Sequence, residues 1–234
     1  MSLTYKTKAF ILHQEDSGEA DRILSLYTKD YGLIEVVAKG ERKLTSKLRA
    51  FLQLFSLCDV EFVQGKNAKT VIDSQVIEDF YSVKKNLQKL VCATNISNII
   101  LKTITDSQKD DNVWSLILIT FSLLDKINSE TDIKILYYFF VIKFLSLTGY
   151  HIDIFKCSVC GGKLSKECYL SFFDKNVVCF NCRKSSKDNV KIDFETMIVL
   201  KYILRSQIQA LLGLPLNENH FKKLDLISKQ YIEI

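Results

Sequence analysis

A single proline and eight glycines in 234 residues leave little for flexible linkers, so the parts of the chain are expected to pack on one another. No G-x-x-x-x-G-K-[ST] phosphate loop occurs, which excludes an ATP-driven loader of that class. Only three histidines are present, His13, His151 and His220, and the one H-x-E, His13-Gln14-Glu15, lies far ahead of both C-x-x-C pairs. The H-x-E with a single C-x-x-C and an open metal position that a zinc-dependent deaminase needs is therefore not assembled. Carboxylates are scattered, and no pair is placed for acid/base work. The sequence reads as non-enzymatic. The start, MSLTYKTKAF, lacks the charged segment and apolar core of a signal peptide. The most apolar runs are 113–124 and 133–147. The first is shorter than the ~20 residues of a bilayer span, and the second carries Lys134 and Lys143. A cytoplasmic protein with no membrane partner is the expectation.

What is present is organised around cysteine. Cys157-Ser158-Val159-Cys160 and Cys179-Phe180-Asn181-Cys182 are two C-x-x-C knuckles with eighteen residues between them. That spacing matches a four-cysteine zinc site, each knuckle bringing two thiolates to one ion from a tight turn. Four cysteines leave no position for water, so a structural Zn2+ ion is expected rather than a catalytic one. Gly161 and Gly162 supply backbone freedom after the first knuckle. Cys168, between the knuckles, has poor spacing for a ligand. Seven cysteines with four in knuckles fit a reducing compartment better than a disulfide scaffold.

The net charge of +5 is modest, and its distribution says more. Residues 1–80 carry 11 Lys and Arg against 12 Asp and Glu. Within them, 39–49 (KGERKLTSKLR) holds Lys39, Arg42, Lys43, Lys47 and Arg49 against Glu41 alone. Such a patch can hold a polyanion through phosphate contacts and counterion release. A solvated charged loop is the plain alternative.

Residues 4–14 alternate, with Tyr5, Thr7, Ala9 and Ile11 on one face and Lys6, Lys8, Phe10 and Leu12 on the other. Further strands are expected at 22–28, 33–39, 51–62 and 70–77, separated by turns. Five short strands with one longer connection suit a small closed barrel, although a sandwich also fits the pattern. From Tyr81 the period changes to helical, with Val83, Leu87, Leu90, Val91 and Thr94 recurring at three- and four-residue spacing. Further helices are expected from Asp110-Asp111-Asn112 to Leu124, from Ser129 to Thr148 with a stop at Gly149, from Asp193 to Leu212, and from Asn217 onward. The aromatic run at 137–144 reads as core. The division expected is 1–80 and 81–234, with the zinc module at 151–190.

These residues together resemble the bacterial DNA repair protein RecO family. The stretch Gly18-Glu19-Ala20-Asp21-Arg22 looks like the family's G-E-x-D-R turn. Ala38-Lys39-Gly40 with Arg42, Lys43, Ser46, Leu48 and Arg49 looks like its basic A-K-G stretch. Gly149-Tyr150 followed by the two knuckles stands where the family carries its zinc insert, so the resemblance spans essentially the whole chain. One departure lies before the second knuckle, where family members often have a glycine pair and this chain reads Phe173 to Val178. Asp174-Lys175-Asn176 is expected to turn there, since Asn tolerates left-handed backbone.

The resemblance implies an N-terminal OB-fold barrel of five strands followed by an all-helical domain carrying the zinc insert, an α+β architecture. It also implies a recombination mediator that binds single- and double-stranded DNA and anneals complementary strands. Such a mediator engages the C-terminal tail of the single-stranded-DNA-binding protein and works with RecR, and often RecF, to load RecA, in association with the nucleoid. Lys39, Arg42, Lys43, Lys47 and Arg49 are the phosphate-contact candidates, with Arg22 and Lys6 weaker. Tyr27 and Tyr31 are candidates to stack on bases or to pack. The competing expectation is a zinc-containing interaction scaffold that never touches DNA.

Overall fold

Apolar residues bury one face of the N-terminal strands, and in β1 and β2 parts of both, and closing the sheet on itself removes its edges. The computed structural model describes residues 3–105, 108–150, 153–164, 167–171, 176–183, 189–205 and 208–232, with side chains to 229. The chain divides by packing into two compact units, Met1–Ile127 and Asn128–Ile234.

The first unit opens with β1 (Thr4–Ser17), β2 (Asp21–Thr28), β3 (Gly32–Ala38), β4 (Leu57–Gln64) and β5 (Lys69–Glu78). They form a closed barrel in the order β1-β2-β3-β5-β4, with β1 pairing β4 and a short parallel contact of Val36 with Lys69 joining β3 to β5. This is the five-stranded arrangement of an OB-fold. Ala9, Ile11, Leu24, Leu26, Ile34, Val36, Val60 and Phe62 fill its interior. The odd face of β1 is thus inside; on its even face Lys6 and Lys8 stay exposed, while Phe10 and Leu12 are covered. Phe10 meets Phe121 at 4.2 Å and Phe80 at 5.8 Å between ring centroids, and Phe55 meets Phe121 at 5.8 Å.

The connection between β3 and β4 departs from expectation. The fourth strand begins at Leu57, not at residue 51, because Leu48–Phe51 winds into a one-turn helix, α1. Leu48 and Leu52, four residues apart, both join the barrel core, a spacing a helical turn satisfies and a strand does not. Phe55 then turns the chain back with a φ of 59°.

Beyond the barrel, α2 (Tyr81–Lys85) and α3 (Leu87–Thr103) are separate helices. Asn86 breaks the run with an extended backbone and caps α3, its side chain accepting from the Gln88 and Lys89 N–H groups. The next helix, α4 (Asp111–Lys126), is capped by Asp110, which accepts from the Asn112 and Val113 N–H groups. Its Asp125 accepts from the Ser82 and Val83 N–H groups at the start of α2. The buried Lys89 ammonium donates to Ser82 Oγ at 2.6 Å and to the Asp125 carbonyl at 2.8 Å.

In the second unit, α5 (Glu130–Leu147) starts at Ser129 and stops at Gly149, whose φ of 94° lets the Tyr150 N–H reach the Leu145 carbonyl. Phe139, Phe140 and Phe144 are buried, as core packing requires. A small sheet follows, β6 (Cys168–Ser171), β7 (Asn176–Cys179) and β8 (Asn189–Ile192), in the order β7-β6-β8. Residues 174 and 175 of the expected Asp-Lys-Asn turn lie outside the described residues. The last elements are α6 (Phe194–Arg205), a 3-10 turn at Ile208–Ala210, and α7 (Glu218–Ile232). The helix expected from Asp193 to Leu212 is α6 as far as Arg205; residues 206 and 207 lie outside the described residues, and 208–210 form the 3-10 turn. Asn217 caps α7, accepting from the Asn219 and His220 N–H groups. No helix among the described residues is long and apolar enough to cross a membrane.

Candidate metal centre and nucleic-acid interface

The two knuckles are shaped by backbone hydrogen bonds before any ligand is considered. Lys156 and Lys163 pair in an isolated antiparallel bridge around the first. Inside it the Cys157 N–H donates to the Gly162 carbonyl at 2.8 Å, and the Gly161 N–H to the Cys157 carbonyl at 2.9 Å. Gly161 adopts a φ of 69°, which the turn needs and a side chain would strain. At the second knuckle, the end of β7, the Cys182 and Arg183 N–H groups both donate to the Cys179 carbonyl at 3.1 Å.

Folded in this way, Cys157, Cys160, Cys179 and Cys182 place their four sulfurs within 4.8 Å of one another. Two of them, Cys160 and Cys179, are 3.9 Å apart. A tetrahedral zinc–thiolate centre with bonds of about 2.3 Å would separate its sulfurs by about 3.8 Å, so the residues fit such an ion. The electrostatics agree. Burial pushes the Cys157 thiol up, but backbone N–H groups of Cys160, Cys179 and Val159 outweigh it and bring it down to about 6. The Cys182 thiol is pushed up to about 12, chiefly by hydrogen bonding with Cys160 and Cys179 and by its burial. One thiolate is thus accommodated readily and the last only against its neighbours, a conflict that a bound dication removes. Cys168 stands apart. It is buried on β6 with its sulfur 3.8 Å from the Ile192 carbonyl.

The basic stretch is built as closely, and the two N-terminal motifs turn out to be one structure. The Asp21 carboxylate accepts from the Gly40 N–H at 2.7 Å, and the Arg42 N–H donates to the Ala20 carbonyl at 2.9 Å. The Arg42 guanidinium donates to the Gly18 carbonyl at 3.4 Å and pairs with Asp16 at 3.3 Å. Arg22 pairs with Asp16 at 3.2 Å and with Glu41 at 3.3 Å. Glu41 is wholly buried, and its second carboxylate oxygen has no partner among the described residues. The single acid of 39–49 is therefore withdrawn from the surface. Lys39, Lys43, Lys47 and Arg49 are all exposed, and Arg42 is half-buried.

The remaining candidates are distributed differently. Lys6 is paired with Glu61 at 2.8 Å, directly across the β1–β4 register. Tyr27 is 1% exposed, its ring stacked on Trp114, so it packs and is out of reach of a base. Tyr31 is half-buried against Tyr5 and Phe62. One feature of α6 was not singled out from the sequence. Phe194, Ile198 and Tyr202, spaced by four, are exposed along one stripe while Met197, Leu200 and Ile203 are buried on the other. Arg205 and Lys201 lie over the exposed ring of Phe155 at 4.4 and 5.8 Å from its centroid. The spacing was visible in the sequence, but apolar residues fall on more than one side of this helix, and their order gives no sign of which side is covered.

Comparison with known proteins brings these observations together. The family profile described as Recombination protein O N terminal matches residues 1–80, and that described as Recombination protein O C terminal matches 84–234. The DNA repair protein RecO of Acetivibrio thermocellus is 31% identical over 230 residues, covering 97% of this chain and 90% of the relative. Its counterpart in a strain of Dehalococcoides mccartyi is 31% identical over 223 residues, 95% of this chain and 87% of the relative. That of Clostridium novyi is 30% identical over 232 residues, 97% of this chain and 89% of the relative. With both profiles matched in order, and with the barrel and the cysteine cluster in place, the chain belongs to the RecO family of DNA repair and recombination proteins.

Proposed function

We propose that the chain is a non-catalytic recombination mediator of the cytoplasm and nucleoid, with 1–80 as its nucleic-acid-binding domain and 81–234 as a helical domain carrying the metal module. The barrel binds single- and double-stranded DNA through Lys39, Arg42, Lys43, Lys47 and Arg49. Arg22 serves this set from behind, holding Glu41 out of the surface. The observation that carries the reading is that burial of Glu41, which leaves the exposed face of 39–49 without an acid. Two phosphodiester strands held on such a surface repel each other less, which favours annealing.

Cys157, Cys160, Cys179 and Cys182 hold one Zn2+ ion, which ties the knuckles together and contributes directly to the folding of the module. The protein partners are RecR, the tail of the single-stranded-DNA-binding protein, and RecF and RecA as the loading machinery. An acidic, apolar tail requires exposed apolar side chains beside cations. The α6 stripe of Phe194, Ile198 and Tyr202 with Lys201 and Arg205 meets that requirement.

The test is binding of labelled single-stranded DNA at several salt concentrations, beside annealing of strands coated with the single-stranded-DNA-binding protein. Each phosphate contact contributes about 0.7 to the slope of log affinity against log salt. Lys43→Glu/Lys47→Glu should weaken binding, lower that slope by about 1.4 and slow annealing. Binding to the coat protein's tail with no DNA affinity would overturn the mediator reading in favour of a scaffold.

A further inference from the structure

We propose that the cysteine module is itself a second contact for single-stranded DNA, with Phe180 stacking on a base and Lys156, Lys163 and Arg183 holding the adjoining backbone. The proposal rests on the DNA-binding reading above and extends it to a surface outside the barrel.

Three features of the module point the same way. The first is the bridge around the first knuckle, which sets Lys156 directly opposite Lys163. Like charges across an antiparallel pair repel. Both side chains are exposed, and neither has a carboxylate within ion-pair distance among the described residues. The same module does neutralise a lysine elsewhere, since Lys191 on β8 pairs with Glu167 at 2.8 Å. The pair at 156 and 163 is a place where an anion relieves repulsion.

The second feature is Phe180, in the second knuckle and 45% exposed. Its ring is held from one side by the Arg183 guanidinium, 4.1 Å from the centroid. That guanidinium also lies 4.8 Å from the Tyr169 ring and donates to the Tyr169 hydroxyl at 2.6 Å. An aromatic ring pinned on one side and open to solvent is a prepared stacking platform, and every unpaired base has a π-face to offer it.

The third feature is that the knuckles converge. Because the four sulfurs come together, Val159, Phe180 and Arg183, each within two residues of a cysteine of the cluster, are gathered at one end of the module. Val159, at the tip of the first knuckle, is 54% exposed. Exposed apolar tips on a small module that also carries the exposed Lys156 and Lys163 match a single strand, which presents bases and phosphates alternately. A paired duplex would leave Phe180 without a partner.

The experiment uses the full chain and labelled oligothymidine, with and without abasic positions, at several salt concentrations. Phe180→Ala should weaken binding about tenfold, the value of one stacked base, with Phe180→Trp restoring it and the loss shrinking on the abasic strand. Lys156→Glu/Lys163→Glu should make the salt slope shallower by about 1.4. Metal content and melting temperature are measured alongside. If Phe180→Ala loses metal, the lysine pair, whose side chains are not metal ligands, decides the matter alone. If the wild-type chain binds, Lys43→Glu/Lys47→Glu weakens it, and the module variants bind as wild type with metal intact, this proposal fails and the barrel reading stands. If the wild-type chain binds no DNA, both fail.

Discussion

Removing Arg22 should do more harm than removing any other cation near the basic stretch, and for a structural reason. Arg22→Ala leaves the Glu41 carboxylate buried without its counter-ion. Breaking a buried pair from one side costs about 3–5 kcal/mol, because the stranded charge remains desolvated. Arg22 retains 28% side-chain exposure and the contact is 3.3 Å, so solvent screens part of this, and about 2–3 kcal/mol is the expectation. At about 3 °C per kcal/mol, the barrel unit should melt some ~6–9 °C lower. Adding Glu41→Gln removes the stranded charge and should return most of that loss, which a double-mutant cycle by urea denaturation would read as a coupling of about 1–2 kcal/mol. The same double variant separates support from contact. Once stability is restored, an unchanged salt slope for DNA means that Arg22 acts through Glu41, whereas a slope lower by about 0.7 means that it touches phosphate. A melting temperature unmoved by Arg22→Ala, or a double variant no more stable than the single one, would refute the reasoning.

Further outcomes are expected elsewhere in the molecule. Cys157→Ser or Cys179→Ser should release zinc to a colorimetric chelator and loosen the three-stranded module; retention of full metal content and melting temperature would sink the four-cysteine assignment. Phe121→Ala removes the ring shared by Phe10, Phe55 and Phe80 and should cost about 3–5 kcal/mol in denaturant unfolding. Burial raises the Tyr27 phenol from its usual value near 10 to about 12. Its contribution is therefore complete below pH 10 and lost as pH rises through 12, so the unit should weaken across that window, and Tyr27→Phe should flatten the loss in denaturation curves taken at both ends. Alanine at Ile198 and Tyr202 together should abolish binding of an acidic, apolar C-terminal peptide by calorimetry while leaving DNA affinity unchanged, and loss of both would argue against a separate surface.

Much of the candidate site was legible because the signals are local. Two C-x-x-C pairs can close on one ion from their own turns, so the ligand set follows from spacing with little help from the rest of the chain. Period-two alternation in 4–14, and the turn-bounded apolar runs at 22–28 and 33–39, likewise mark strands wherever they end up, and the caps at Asp110, Ser129 and Asn217 act on N–H groups two or three residues away. The run at 51–62 misled because its apolar residues serve two geometries in succession, a helical turn that buries Leu48 and Leu52 and then a strand. Apolar character alone does not tell one from the other.

What the amino-acid order determined by itself, then, is the barrel's alternation, the helix starts and the cysteine cluster, since each depends on contacts within a few residues. Tertiary structure alone decided the rest. It withdrew Glu41 into a pair with Arg22, nineteen positions away, and so left the exposed part of 39–49 with cations and no acid. It put Tyr27 against Trp114 and left Phe180 in the open, though neither residue's neighbours in sequence say which of the two rings is covered. The physical reason is common to these cases. Whether a charge or a ring faces water depends on which distant segment covers it, and that is set by packing of the whole unit rather than by any local preference.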